Sequence, residues 1–250
     1  MFCTPLGPLM SDARGDLERA SRAVGDWFTT VYDDLATMAA ACEHELRKSR
    51  GKNAGLTEGN LRAIQPAATA FLGRHEVPVA AGIVVGPKVL GNDLGAVEWW
   101  RRGDSGSTER IVFNLSPDDP GFYDFVTFEW FNEVVSTGKP AIQGPYLDYA
   151  GMDKYILTAM VPLSLDGVLI GTAGCDTEVR ELERVVMPIL RTIPGDAALV
   201  SKFDRIILGN SSRFHVGNRV VALPKDATRC DIPGPELGLQ LVVTPRAANF

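Results

Sequence analysis

YDFVTFEWFNEVVSTGKPAIQGPYLDYAGMDKYILTAMVPLSLDGVLIGTAGCD, residues 123–176, is the stretch whose reading decides the fold. Its second half holds two β-type runs, Tyr155 to Leu163 and Val168 to Cys175, joined at Asp166-Gly167. Aspartate followed by glycine between apolar runs suits a tight hairpin turn, because both central residues must take left-handed backbone angles. The first half, Tyr123 to Val135, spaces large apolar groups as a helix does, and Gly138 and Pro140 end it. A helix followed by a long antiparallel hairpin is an α+β signature.

Upstream, Asp12 to Arg47 contains no proline, and Val24, Phe28, Val31, Leu35, Met38 and Cys42 recur in alternating steps of four and three. That is the seam of one long helix. It either lies on its own domain, with Trp27 widening the stripe, or pairs in part with a second subunit. A polar loop over 48–59 leads to a shorter helix from Glu58 to Arg74. Strands are expected over Val79 to Val85, Gly95 to Arg102 and Arg110 to Leu115, with a glycine-rich hairpin loop between the last two. Downstream, a helix is expected over Thr177 to Arg191. Short strand pieces follow at Ala198 to Val200, Arg205 to Leu208, Arg219 to Leu223 and Leu239 to Val243.

The net charge of -6 makes a single-sign basic face, and hence a nucleic-acid partner, a poor expectation. Cys3, Cys42, Cys175 and Cys230 are far apart, as are His44, His75 and His215, so no metal-ligand spacing is written and no cofactor is expected. Phosphate-binding, dinucleotide and nucleophile-elbow motifs are absent, so no catalytic residue is assigned. The N-terminus lacks the pattern of a signal peptide, and no run approaches the ~20 apolar residues of a membrane span. The sequence therefore predicts a cytoplasmic chain, with either Met1 or Met10 as its natural start.

Within 121–176, Tyr123, Trp130, Tyr146, Asp148, Asp153, Tyr155 and Asp176 combine ring faces with carboxylates. An alkylammonium ion leaving water needs both: acids to offset its charge and electron-rich faces to replace its hydration. The plainer assignments are core packing for Tyr123 and Trp130, both on one helical face, a turn for Asp148 and a helix cap for Asp176. Trp99 and Trp100 are neighbours on a strand, so at most one of them lines a pocket, and Glu98 shares a face with Trp100.

The order of these residues resembles the Cache (PDC-like) sensor family of bacterial chemoreceptors and sensor kinases. There, a Trp-containing helix precedes a Pro-Tyr-x-Asp turn and a hairpin ending in Gly-x-x-Gly-x-Asp, as Trp130, Pro145-Tyr146-Leu147-Asp148 and Gly171 to Asp176 do here. The resemblance is good over 110–193. It implies a long N-terminal helix packed on an antiparallel PAS-like sheet. The expected division is a disordered tail over 1–11, a ligand-binding module over 12–193, and a truncated second module over 194–250.

The resemblance further implies a pocket of Tyr123, Phe128, Trp130, Phe131, Tyr146, Asp148 and Asp176. In amine- and amino-acid-binding members an Arg stands where this chain has Phe128, and a Tyr where it has Phe131. The Arg holds a ligand carboxylate by paired charge-assisted hydrogen bonds, which phenylalanine cannot do. The implied ligand is thus an amine without an α-carboxylate, unless Arg101 or Arg102 on a nearby strand supplies the contact. The expectation is a soluble, non-catalytic amine sensor that signals through a partner protein, with a homodimer possible through the first helix. The alternatives are an enzyme acting on a small amine and a dimerisation module with a vestigial pocket.

Overall fold

The structure is a computed structural model that describes residues 3–5, 11–52, 54–148 and 154–246. Met10 and Asp153, singled out above, lie outside the described residues. The first strand, β1 (Cys3–Pro5), precedes one long helix, α1 (Ser11–Arg50). Every residue of the apolar seam, Val24, Phe28, Val31, Leu35, Met38 and Cys42, is buried by the chain itself. The seam's hydrophobic contribution is thus taken up in the chain's own packing.

The chain packs as two units, and one comprises Val31–Gln143 and Leu147–Glu178. Its centre is a six-stranded antiparallel sheet built from β2 (Pro78–Val85), β3 (Ala96–Arg102), β4 (Thr108–Ile111), β5 (Ala141–Asp148), β6 (Lys154–Leu165) and β7 (Val168–Glu178). The strand order is β4-β3-β2-β7-β6-β5. The β6–β7 hairpin turns at Asp166 (φ 53°) and Gly167 (φ 79°), the two left-handed positions its sequence suggests. Asp166 accepts hydrogen bonds from Arg47 Nε at 2.9 Å and Arg50 at 2.7 Å, and its amide donates to Glu43 at 3.1 Å. The turn is thereby tied to the end of α1.

Four expectations shift in this unit. The helix expected over 58–74 is broken into α2 (Glu58–Leu61), a 3-10 turn and α3 (Gln65–Arg74), because Pro66 can sit only in a first turn. The third strand ends at Ile111 rather than Leu115. The helix expected from Tyr123 starts later, as α4 (Glu129–Thr137), after a 3-10 turn at Phe125–Thr127. Phe128 is extended there (φ -76°, ψ 137°), the Gln143 side chain takes the Trp130 amide at 3.0 Å, and Gly138 (φ 65°) ends the helix as expected. Finally, the Pro-Tyr-x-Asp segment is part of edge strand β5 and not a turn; an edge is where a strand tolerates proline.

The other unit joins residues up to Thr30, Gly144–Tyr146 and Val179–Phe250. It holds α5 (Val179–Leu190), β8 (Asp196–Val200), β9 (Ile206–Gly209), β10 (Thr228–Asp231) and β11 (Gln240–Thr244). Its five strands run β1-β10-β11-β8-β9. Residues 3–5, expected inside a disordered tail, pair with Thr228–Cys230. The segment expected as a truncated module is completed by chain from the N-terminus: β1 adds a strand, and Ser21 on α1 donates to the Asp231 carbonyl at 2.7 Å. The chain passes into this unit at Val179, earlier than 194. The strand expected over 219–223 is reduced to one bridge, Arg205 to Arg219.

Candidate functional site

Strand register assembles the site on one face of the six-stranded sheet. Thr158, Asp176, Ala80 and Arg101 form one row across β6, β7, β2 and β3. Two residues along, Met160, Gly174, Gly82, Trp99 and Ile111 form the next. Glycine at 82 is required by packing: a Cβ there would collide with the Glu98 carbonyl oxygen and come within 2.8 Å of Cε3 of the Trp99 ring. The indole lies over that bare backbone and reaches β7, where Nε1 donates to Oδ2 of Asp176 at 2.8 Å. Thr158 Oγ1 donates to the other oxygen, Oδ1, at 2.7 Å.

Asp176 is buried, and burial pushes its carboxyl up to about 7. The Thr158 hydrogen bond opposes the rise, the charge of Asp148 adds to it, and the Trp99 hydrogen bond also opposes it. Asp148, at the end of β5, is buried as well. The Tyr123 phenol is pushed well above its ordinary value by burial, then by the charges of Asp176 and Asp148. Tyr123, Asp148 and Asp176 thus share one electrostatic environment, in which two acids lie close together out of water.

Aromatic rings extend from this point. Tyr123 lies 4.6 Å from Phe113 and 5.2 Å from Phe128, and Phe128 lies 5.9 Å from Trp130. Trp130 stands edge-on to Phe131 at 5.9 Å, and Phe131 to Phe125 at 5.1 Å. Tyr123 with Phe128, Trp130 with Phe131 and Phe125 with Phe131 are edge-on, the arrangement ring quadrupoles favour, and the other two pairs are tilted. Among the described residues, the buried Trp130 indole N–H has no hydrogen-bond partner.

The structure therefore gathers six of the seven expected residues. Tyr123, Phe128, Trp130 and Phe131 form a continuous ring cluster, and Tyr123 links it to Asp148 and Asp176. Tyr146, half-buried two residues before Asp148 on β5, groups with the other unit. Asp176 is not a helix cap, since it lies inside β7 with both oxygens turned to side-chain donors. Tyr123 and Trp130 do not share a helix face, because the helix begins at Glu129.

Sequence reasoning passed over Trp99 and Thr158. The alternation of β3 left Trp99 or Trp100 open, and the register decides it: Trp99 stands opposite Gly82, whose missing side chain leaves room for the indole. Trp100 and Glu98 face the opposite side, where the buried Glu98 takes a forked ion pair from Arg110 at 2.9 and 3.0 Å. Arg102 is committed to the carbonyls of Leu72, His75 and Pro78. Arg101 keeps to the row of Asp176 and rests on Glu109 at 2.8 Å. Among the described residues, no cluster of three or more His, Cys, Asp or Glu is placed to hold a metal ion.

No family model matches the chain. Two curated proteins are similar to part of it. The methyl-accepting chemotaxis protein TlpQ of Pseudomonas aeruginosa is 28% identical over 102 residues, 39% of this chain and 14% of that protein. The methyl-accepting chemotaxis protein PscA of Pseudomonas syringae pv. tomato is 25% identical over 120 residues, 48% of this chain and 19% of that protein. The chain thus matches less than a fifth of the length of either. Among solved structures, the ligand-binding domain of the Campylobacter jejuni chemoreceptor Tlp3 in complex with L-valine superposes with a TM-score of 0.62. That match has 16% identity and covers 94% of this chain and 92% of the other. The chain has the α+β fold of a Cache-type chemoreceptor ligand-binding domain.

Proposed function

We propose that this chain is a non-catalytic sensor domain whose aromatic and acidic pocket takes a small amine. The fold and the chemotaxis-receptor relatives support a small-ligand sensor. One observation supports the amine: Asp176 is buried beside Asp148 and Tyr123, held in place by Trp99 and Thr158, and its carboxyl is raised to about 7. Asp148 raises the carboxyl of Asp176 by its charge, and an ammonium ion beside the two acids would favour their charged forms. The rings of Tyr123 and Trp130 supply the faces such a cation prefers.

Phe128 shapes the other end of the pocket. Its ring lies against Tyr123 and Trp130, so the place where related pockets hold an α-carboxylate is apolar here. An α-amino acid would leave its carboxylate without a guanidinium partner, at a cost of several kcal/mol. Signalling follows if the ligand favours one of two arrangements of sheet and α1 that a partner protein reads. A thermal-shift screen of biogenic amines and α-amino acids, with Asp176→Ala as control, tests the assignment. Amines should raise the melting temperature of the native chain and not of the variant, by about 2.7 kcal/mol of stability at a hundredfold excess over Kd. Stabilisation by carboxylates alone, or by amines equally in both proteins, would reverse it.

A further inference from the structure

A cleft of about 490 Å³ lies at the end of the sheet where Arg101 and Glu178 stand, lined among others by Val79, Arg101, Asp104, Glu109, Lys154 and Glu178. Register fixes how it relates to the amine pocket. Arg101 opposes Ala80, Ala80 opposes Asp176, and Glu109 opposes Arg101, so all four share one face of the sheet. Glu178, two residues beyond Asp176 on β7, shares it too. Two ion pairs occupy the cleft, Arg101 with Glu109 and Lys154 with Glu178.

We infer that this cleft is a second subsite that binds a carboxylate at the far end of the ligand, with Arg101 as its partner. The inference rests on the amine reading of the deeper pocket and names the class of molecule: an ammonium and a carboxylate joined by an extended spacer. Asp176 and Arg101 are two strand spacings apart, roughly 9.6 Å between backbones, too far for the adjacent charges of an α-amino acid and suited to a longer chain. The guanidinium is half exposed, and so is the Glu109 carboxylate that now holds it. An exposed pair of this kind contributes little, so a ligand carboxylate can take Glu109's place at small cost and gain the forked geometry that arginine offers. Arg102 cannot do this, since three backbone carbonyls already engage it.

Calorimetric titrations of the whole chain with matched probes test this. Pentylamine is compared with δ-aminovalerate, hexylamine with ε-aminocaproate, and cadaverine serves as the dicationic control. The ω-amino acid should bind at least fivefold more tightly than the alkylamine of equal length. That ratio should fall to about one in Arg101→Gln and recover in part in Arg101→Lys. Equal affinities in the native chain, a ratio that survives in Arg101→Gln, or a preference for cadaverine would overturn the carboxylate subsite while leaving the amine pocket standing. If none of the amines binds, the amine reading itself is wrong and the subsite falls with it.

Discussion

Asp176 connects stability and ligand binding through one proton. In the unfolded chain its carboxyl loses the proton near 3.8, and in the folded domain near 7. Between these values the native state binds the extra proton, so raising the pH withdraws stability across that window and leaves it level above. The empty domain should therefore show a melting temperature that falls between pH 4 and pH 7, to the extent that this group dominates. Asp176→Asn should flatten that decline, and melting curves of both proteins across the range check it; parallel curves would contradict it. The acids of the site were singled out in the sequence through the resemblance that Pro145, Tyr146, Asp148 and Asp176 carry. Trp99 was not, because its role depends on β3 lying beside β2 in a register that puts the ring over Gly82. The two strands are consecutive, but their register is fixed only by the pairing itself and is not written in either strand alone.

At the scale of elements, local signals carried well. The hairpin turn at Asp166-Gly167 and the seam of α1 are both written in neighbouring residues, and both stand where they were expected. Elements defined by a distant partner did not carry: β1 is a three-residue strand held by its pairing with β10, which itself lies between β1 and β11. The start of α4 moved because a side chain from β5, Gln143, takes the Trp130 amide. The contact between Asp166 and the end of α1 belongs to this scale as well. Arg47, Arg50 and Glu43 hold the turn at one end of β7, while Asp176 lies near the other end. Tyr32 donates to the Ala141 carbonyl at 2.7 Å and ties the same helix to the start of β5. Asp166→Asn keeps the turn geometry and removes the charge. It should lower the melting temperature by no more than a few degrees, and the loss should shrink in high salt, as for exposed pairs. A large, salt-independent loss would show that the turn itself had failed.

For the molecule as a whole, the fold class was legible and the division of the chain was not. Residues 194–250 look too short for a second module when read alone, because the sheet there draws β1 and its packing draws residues of α1 up to Thr30 from the other end of the sequence. Among the described residues no helix is long and apolar enough to cross a membrane. Two elements are divided between the units: α1, after Thr30, and β5, whose Gly144–Tyr146 group apart from the rest of the strand. The account stands on amine binding by a buried carboxylate, and that is directly measurable. Carbon-13 NMR of the Asp176 side-chain carboxyl, titrated with and without saturating pentylamine, reads the relevant proton. The carboxyl should titrate near 7 when the domain is empty and drop by more than one unit when the amine is bound. A titration near the ordinary carboxylate range in the empty domain, or one that pentylamine leaves in place, would contradict it.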